Sequence, residues 1–107
     1  MRPKPSSIKK IVLELEWTER ARHDLLVIID FISDDSPDSA QRLKHDIEAK
    51  AAKLPEFPKL YRIGRVVGTR EMVVWANYIV VYTENPSTIT ILRVLHAAQQ
   101  WPHNRED

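Results

Sequence analysis

Arg65, Arg70 and Arg93, with His96 three residues beyond the last of them, are the side chains of this sequence whose types could do chemistry. Guanidinium groups hold phosphate oxygens in pairs, and an imidazole exchanges a proton near neutral pH. Arg70, Arg93 and His96 are therefore the ingredients of a metal-free ribonuclease. The same residues have a plainer reading, in which Arg70 makes a surface ion pair with Glu71 and His96 ends a strand with its hydrogen bonds satisfied. Trp101, followed by Pro102 beyond the last strand, has two open readings: an exposed indole that anchors a partner, or a cover for one end of the core.

Other chemistries find little support. Gly64 and Gly68 are the only glycines and neither opens a helix at the spacing of a phosphate-binding loop, so nucleotide-dependent chemistry is disfavoured. His45 and Glu48 stand three apart on an expected helix without further ligands at metal spacing, and His23 with Asp24 are adjacent and cannot face each other; all four are expected at the surface. No local pattern signals a Ser-His-Asp nucleophile. With no cysteine, thiolate sites and disulfides are excluded. Neither a metal nor a cofactor is expected. Trp75, Tyr78 and Tyr82 could stack on bases, but aromatics in strands are ordinarily packing residues.

The chain has 107 residues, 43% hydrophobic and 29% charged, which suits one small globular domain. Sixteen Lys and Arg against fifteen Asp and Glu leave a net charge of +1, so any attraction to phosphate has to be local. Lys53, Lys59, Arg62, Arg65 and Arg70 do fall in one stretch, whereas Asp34, Asp35 and Asp38 cluster earlier. No apolar run approaches a membrane span and no signal-peptide core follows the basic start, so a cytoplasmic protein without a membrane partner is expected.

Residues 1–9, with Pro3 and Pro5, read as a flexible leader, residues 10–102 as a single domain and 103–107 as a tail. Lys10 to Trp17 alternates with period two and is a strand. Thr18 then caps a helix over Glu19 to Ile32 with a stripe of Ala21, Leu25, Ile28, Ile29 and Ile32. Ser36-Pro37 starts a second helix with Ala40, Leu43, Ile47, Ala51 and Leu54 on one face, stopped by Pro55 and Pro58. Tyr61 to Val67, Arg70 to Trp75, Tyr78 to Thr83 and Thr88 to His96 are β-rich runs separated by short breaks. The expected fold is α+β, in the order β-α-α-β-β-β-β, an antiparallel sheet covered on one face by the helical hairpin. The final strand carries apolar residues on both faces, Ile89, Ile91 and Leu95 on one and Leu92 and Val94 on the other. One face is expected to meet the core and the other a partner, which could add a strand or lay an amphipathic helix in a groove.

From about Leu15 to Pro102 the chain resembles the toxins of the RelE/ParE superfamily, the growth-arresting halves of type II toxin–antitoxin pairs. The strings that carry the resemblance are Trp17-Thr18 leading into Ala21 and Asp24-Leu25, Gly68-Thr-Arg-Glu71, Asn77-Tyr-Ile-Val-Val-Tyr82, and Arg93-Val-Leu-His96 ending at Trp101-Pro102. The resemblance implies a cognate antitoxin as partner and a toxin–antitoxin hetero-oligomer. It implies one of two actions: ParE-like inhibition of DNA gyrase or replication without catalysis, or RelE-like ribosome-dependent cleavage of mRNA. Ile79 stands where the ribonuclease members have an arginine, and no tyrosine follows Tyr82, so the ParE-like branch fits better. On that branch Arg65, Arg70, His96 and Trp101 are contact residues for the target or the antitoxin. On the ribonuclease branch, with ribosome and mRNA as partners, Arg70 and Arg93 bind phosphate and His96 moves the proton.

Overall fold

In the computed structural model, which describes residues 13–99 and 101–102, local signals set the helix boundaries. Thr18 Oγ1 accepts the Ala21 N–H and starts α1, Glu19–Ser33; Ser36 Oγ accepts the Ser39 N–H and, with Pro37 in the first turn, starts α2, Pro37–Ala52. The strands are β1 (Glu14–Trp17), β2 (Arg62–Ile63), β3 (Arg70–Val74), β4 (Tyr78–Glu84) and β5 (Thr88–His96). The order β-α-α-β-β-β-β and the α+β class are those read from the sequence. The leader 1–9 and tail 103–107 lie outside the described residues, as do Lys10 to Val12 at the start of the first expected strand.

The strands lie side by side in the order β1-β5-β4-β3-β2. The last four form the expected antiparallel meander, but β1 joins it parallel to β5, with Leu15 opposite Ile89 and Trp17 opposite Ile91, so the sheet is mixed. The helical hairpin is long enough to make the crossover that a parallel pair requires. The run from Tyr61 to Val67 shortens to two paired residues because the chain turns early. Gly68 takes φ +86°, Thr69 N–H donates to the Val66 carbonyl, and a Cβ at Gly64 would strike Thr69 Oγ1.

One face of the sheet packs Met72, Val74, Val80, Tyr82, Ile89, Ile91 and Val94 against Ala21, Leu25, Leu43, Ile47, Ala51 and Leu54 of the helical layer. Here the expected facing of β5 needs correction. Val81 pairs with Arg93 but Tyr82 with Ile91, so Leu92 is an extra residue in β5. Such a bulge inverts the alternation beyond it. Ile89, Ile91 and Val94 therefore face the helices, and Leu92 and Leu95 face away with Ile79 and Val81.

The outward face is also not left for a partner. Ile79, Val81 and Leu95 are buried within the chain itself, with Trp101 and Leu92 packed over them. Open apolar surface lies instead on α1, where Leu26, Val27 and Phe31 are exposed, Phe31 by 76%. A groove of about 450 Å³ opens beside them, lined by Trp17, Leu25, Leu26 and Ile29 with Lys44 and Glu48 of α2.

Candidate functional site

The residues singled out by their chemistry divide into three places. Arg65, Arg93 and Trp101 meet on the outward face of the sheet. Glu71 of β3, 3% exposed, is the anchor there: its carboxylate accepts from Arg65 Nε at 3.2 Å, from the Arg65 backbone N–H at 3.1 Å and from Arg62 Nη2 at 3.0 Å. Burial alone would push this carboxyl up, but those hydrogen bonds and the nearby positive charge outweigh it and hold Glu71 below the ordinary carboxylate value. Arg65 also donates from Nη1 to the Trp101 carbonyl at 3.3 Å, and the Arg93 guanidinium lies 5.4 Å from the Trp101 ring centre. Of the two open readings of Trp101, the covering one describes its place.

Arg93 reaches from this face to α1. Its Nε donates to Asp24 at 2.7 Å and its Nη2 at 3.1 Å, a bidentate pair with side chains 13% and 10% exposed. The Asp24 carboxylate also accepts the Val94 N–H at 3.0 Å, and Thr18 Oγ1 donates to the Leu92 carbonyl at 3.2 Å. The two side chains continue, along the part of β5 that β1 does not reach, the pairing of its edge. Asp24 is thus not the surface residue expected, because the fold brings it to Arg93 from 69 positions away.

Arg70 sits at another place, on the helix side of the sheet. Its Nε donates to Glu84 at 3.3 Å and its Nη1 to the Tyr61 carbonyl at 2.7 Å. Lys59 joins Glu84 at 3.1 Å, and the two cations, working against desolvation, lower the Glu84 carboxyl. The ion pair of Arg70 is therefore with Glu84 and not with its neighbour Glu71. His96 occupies the far end of the same strands. It pairs across from Tyr78, whose ring it meets edge-on at 5.3 Å, and its Nδ1 accepts the Ala98 N–H at 3.0 Å. The neutral ring therefore carries its proton on Nε2. The His96 backbone N–H is satisfied by Gln99 Oε1.

Arg70 lies opposite Tyr82 and His96 opposite Tyr78 on β4, four positions apart, which is about 13 Å along a strand. Arg93 projects from the other face. The three groups named for a ribonuclease do not converge on one point. Among the described residues, no three His, Asp or Glu side chains gather where a metal ion could sit, and no helix is long and apolar enough to cross a membrane. His45 and Glu48 are exposed on α2, as expected.

Comparison with known proteins fits this arrangement. Residues 15–101 match the family described as ParE toxin of type II toxin-antitoxin system, parDE. The chain belongs to the ParE toxin family. It is 39% identical over 89 residues to the Y4kP protein of Sinorhizobium fredii, covering 82% of this chain and 92% of that one. It is 35% identical over 86 residues to toxin RelE2 of Caulobacter vibrioides, covering 80% and 97%. Among solved structures it is similar to a chain of the chromosomal ParDE system from P. aeruginosa, with a TM-score of 0.72, 23% identity and coverage of 81% and 98%. A chain of the RelBE2 toxin–antitoxin complex from Mycobacterium tuberculosis follows at a TM-score of 0.55, 23% identity and coverage of 85% and 98%. The protein is a RelE/ParE superfamily toxin of a type II toxin–antitoxin system. In this ParE-family chain the carboxylates that fix the arginines, Asp24, Glu71 and Glu84, escaped sequence reasoning. Asp24 and Glu71 left a trace there, each as part of a string shared with the superfamily, and Glu84 left none.

Proposed function

We propose that this toxin acts in the ParE manner, arresting growth by binding and inhibiting DNA gyrase or another protein of DNA replication in the cytoplasm. A cognate antitoxin silences it in a hetero-oligomer. The observation that carries the reading is the internal pairing of the three arginines singled out for phosphate: Arg65 with Glu71, Arg70 with Glu84 and Arg93 with Asp24. A phosphoryl transition state is stabilised by cations preorganised around one point and free to face the developing charge. Cations spent on carboxylates, on two faces and at two ends of a sheet, do not supply that. Membership of the ParE family supports the same branch. The antitoxin partner is supported by the two similar structures, both from toxin–antitoxin systems.

On this reading Arg65, Arg70, His96 and Trp101 contribute affinity and shape. Arg65 and His96 are exposed and contact a partner directly, while Arg70 holds the Tyr61 carbonyl in place and Trp101 covers the outward apolar cluster. The mRNA-cleaving alternative keeps one supporting observation, the 35% identity to a relative named RelE2. Induction of the chain in cells, followed by a gyrase supercoiling assay on the purified protein and mapping of transcript ends, separates the two. The expected result is growth arrest, loss of supercoiling and intact transcripts, all relieved by coexpression of the adjacent antitoxin gene. Transcripts cut at ribosome-bound codons, with cutting abolished by His96→Ala, would overturn the ParE-like reading.

A further inference from the structure

The turn between β3 and β4 carries two consecutive non-glycine residues in the left-handed region, Trp75 at φ 60° and Ala76 at φ 68°. An L side chain there costs roughly 1–2 kcal/mol per residue, and a bulky one is a true outlier. Asn-Gly satisfies such backbone at least cost, so the most stable turn sequence is absent. The strain is offset locally, since Trp75 Nε1 donates to Asp46 Oδ2 of α2 at 2.7 Å. That charge-assisted bond fixes the indole in one orientation and yet leaves Trp75 42% exposed.

The surroundings make a continuous surface. Ala76 and Asn77 are exposed, the Asn77 carbonyl accepts the Ala97 N–H, and the exposed His96 lies across from Tyr78 at the base of the turn. The β3–β4 tip and the exit of β5 therefore form one end of the sheet, with Trp75 at its edge. Backbone strain that is kept by the surrounding contacts marks sites of function more often than sites of stability. A large aromatic ring held rigidly loses little entropy on binding and serves as an anchor.

We propose that this end of the sheet is the surface by which the toxin engages its protein target, with the Trp75 indole inserting into an apolar pocket of a folded partner that carries a cationic group near Asp46. A folded protein fits better than nucleic acid, because the indole is flanked by a carboxylate, which repels phosphate. It fits better than the antitoxin, because a segment that folds on binding seeks a long apolar surface such as the α1 groove, whereas a fixed tip suits a preformed pocket. The proposal rests on the reading that the toxin acts by binding a protein.

The test compares the full-length chain with the double variant Trp75→Asn, Ala76→Gly and with Trp75→Phe. Each is measured for inhibition of supercoiling by gyrase holoenzyme, growth arrest at matched soluble level, and melting temperature. The double variant relieves the backbone strain and removes the ring; the expected result is a melting temperature no lower than the parent's with at least about a tenfold loss of inhibition. Trp75→Phe keeps an apolar ring without the N–H, and is expected to lose less than the double variant. Full inhibition and arrest by the double variant would overturn the proposal, as would a Trp75→Phe variant as defective as the double one, which would make the bond to Asp46 a structural staple alone. If the parent chain arrests growth without touching supercoiling, the gyrase reading fails by itself, and the growth-arrest comparison still decides the role of the tip.

Discussion

A carboxylate taken out of water is tolerated only where donors replace its hydration, and Glu71 has three hydrogen bonds from the Arg62 and Arg65 guanidinium groups and a fourth from the Arg65 backbone N–H. Its folded value lies below the ordinary 4.5 despite burial, so the linkage has a definite sign. The stabilisation is present above pH 4.5 and is lost as the pH falls through the depressed folded value. Glu71→Gln is expected to flatten the acid limb of a stability–pH curve measured by urea titration, and to cost about 1–3 kcal/mol at neutral pH. Tyr82 gives the opposite limb. Burial pushes its hydroxyl up to about 12 from 10.0, so between those values the unfolded chain ionises first and stability falls as pH rises. Tyr82→Phe should abolish that alkaline dependence while losing the hydrogen bond to the Pro58 carbonyl at 2.9 Å, which the same titrations would reveal. Neither partner set was legible in the sequence. Glu71 is next to Arg70 in the chain, but adjacent strand residues point to opposite faces, so the adjacent arginine is the one it cannot meet.

Among the elements, α1 does more than cover the core. Its first turns supply Thr18 and Asp24 to the stretch of β5 that short β1 leaves unpaired. Removing the carboxylate with Asp24→Ala leaves Arg93, 13% exposed, without its counter-ion and the Val94 N–H without its acceptor, an expected loss of about 3–5 kcal/mol. Asp24→Asn retains hydrogen-bonding capacity and should cost less; denaturant unfolding of both variants checks the order. Faster amide exchange at Val94 in Asp24→Ala, with Val80 protected as before, would place the damage at the β5 edge. The sequence located α1 by its cap and its apolar stripe, and β5 by its length. It did not show the bulge at Leu92, because a single extra residue leaves no mark in a run of β-forming side chains until the partner strand fixes the register.

At the scale of the whole molecule, the net charge of +1 is nearly cancelled locally as well as globally, because the arginines of the basic stretch face carboxylates. Binding by such a surface should depend weakly on salt. Between about 50 and 200 mM salt, target inhibition is expected to change by less than about tenfold, against the 10³–10⁵ typical of a protein with many phosphate contacts. A steep slope in a supercoiling or binding assay would point to phosphate recognition instead. The amino-acid sequence by itself determined the element order, the helix starts at Thr18 and Ser36-Pro37, the division into helical half and β half, and the ParE family, since caps, periodicity and short strings are properties of neighbouring residues. Tertiary structure alone decided that β1 runs parallel to β5, that Trp101 closes the outward face, that the arginines are spent on Asp24, Glu71 and Glu84, and that Trp75 is held at a strained tip against Asp46. Asp24 and Arg93 are 69 positions apart. Their meeting follows from strand register and the path of the helical hairpin, both fixed by the packing of the assembled chain and by no local pattern within it.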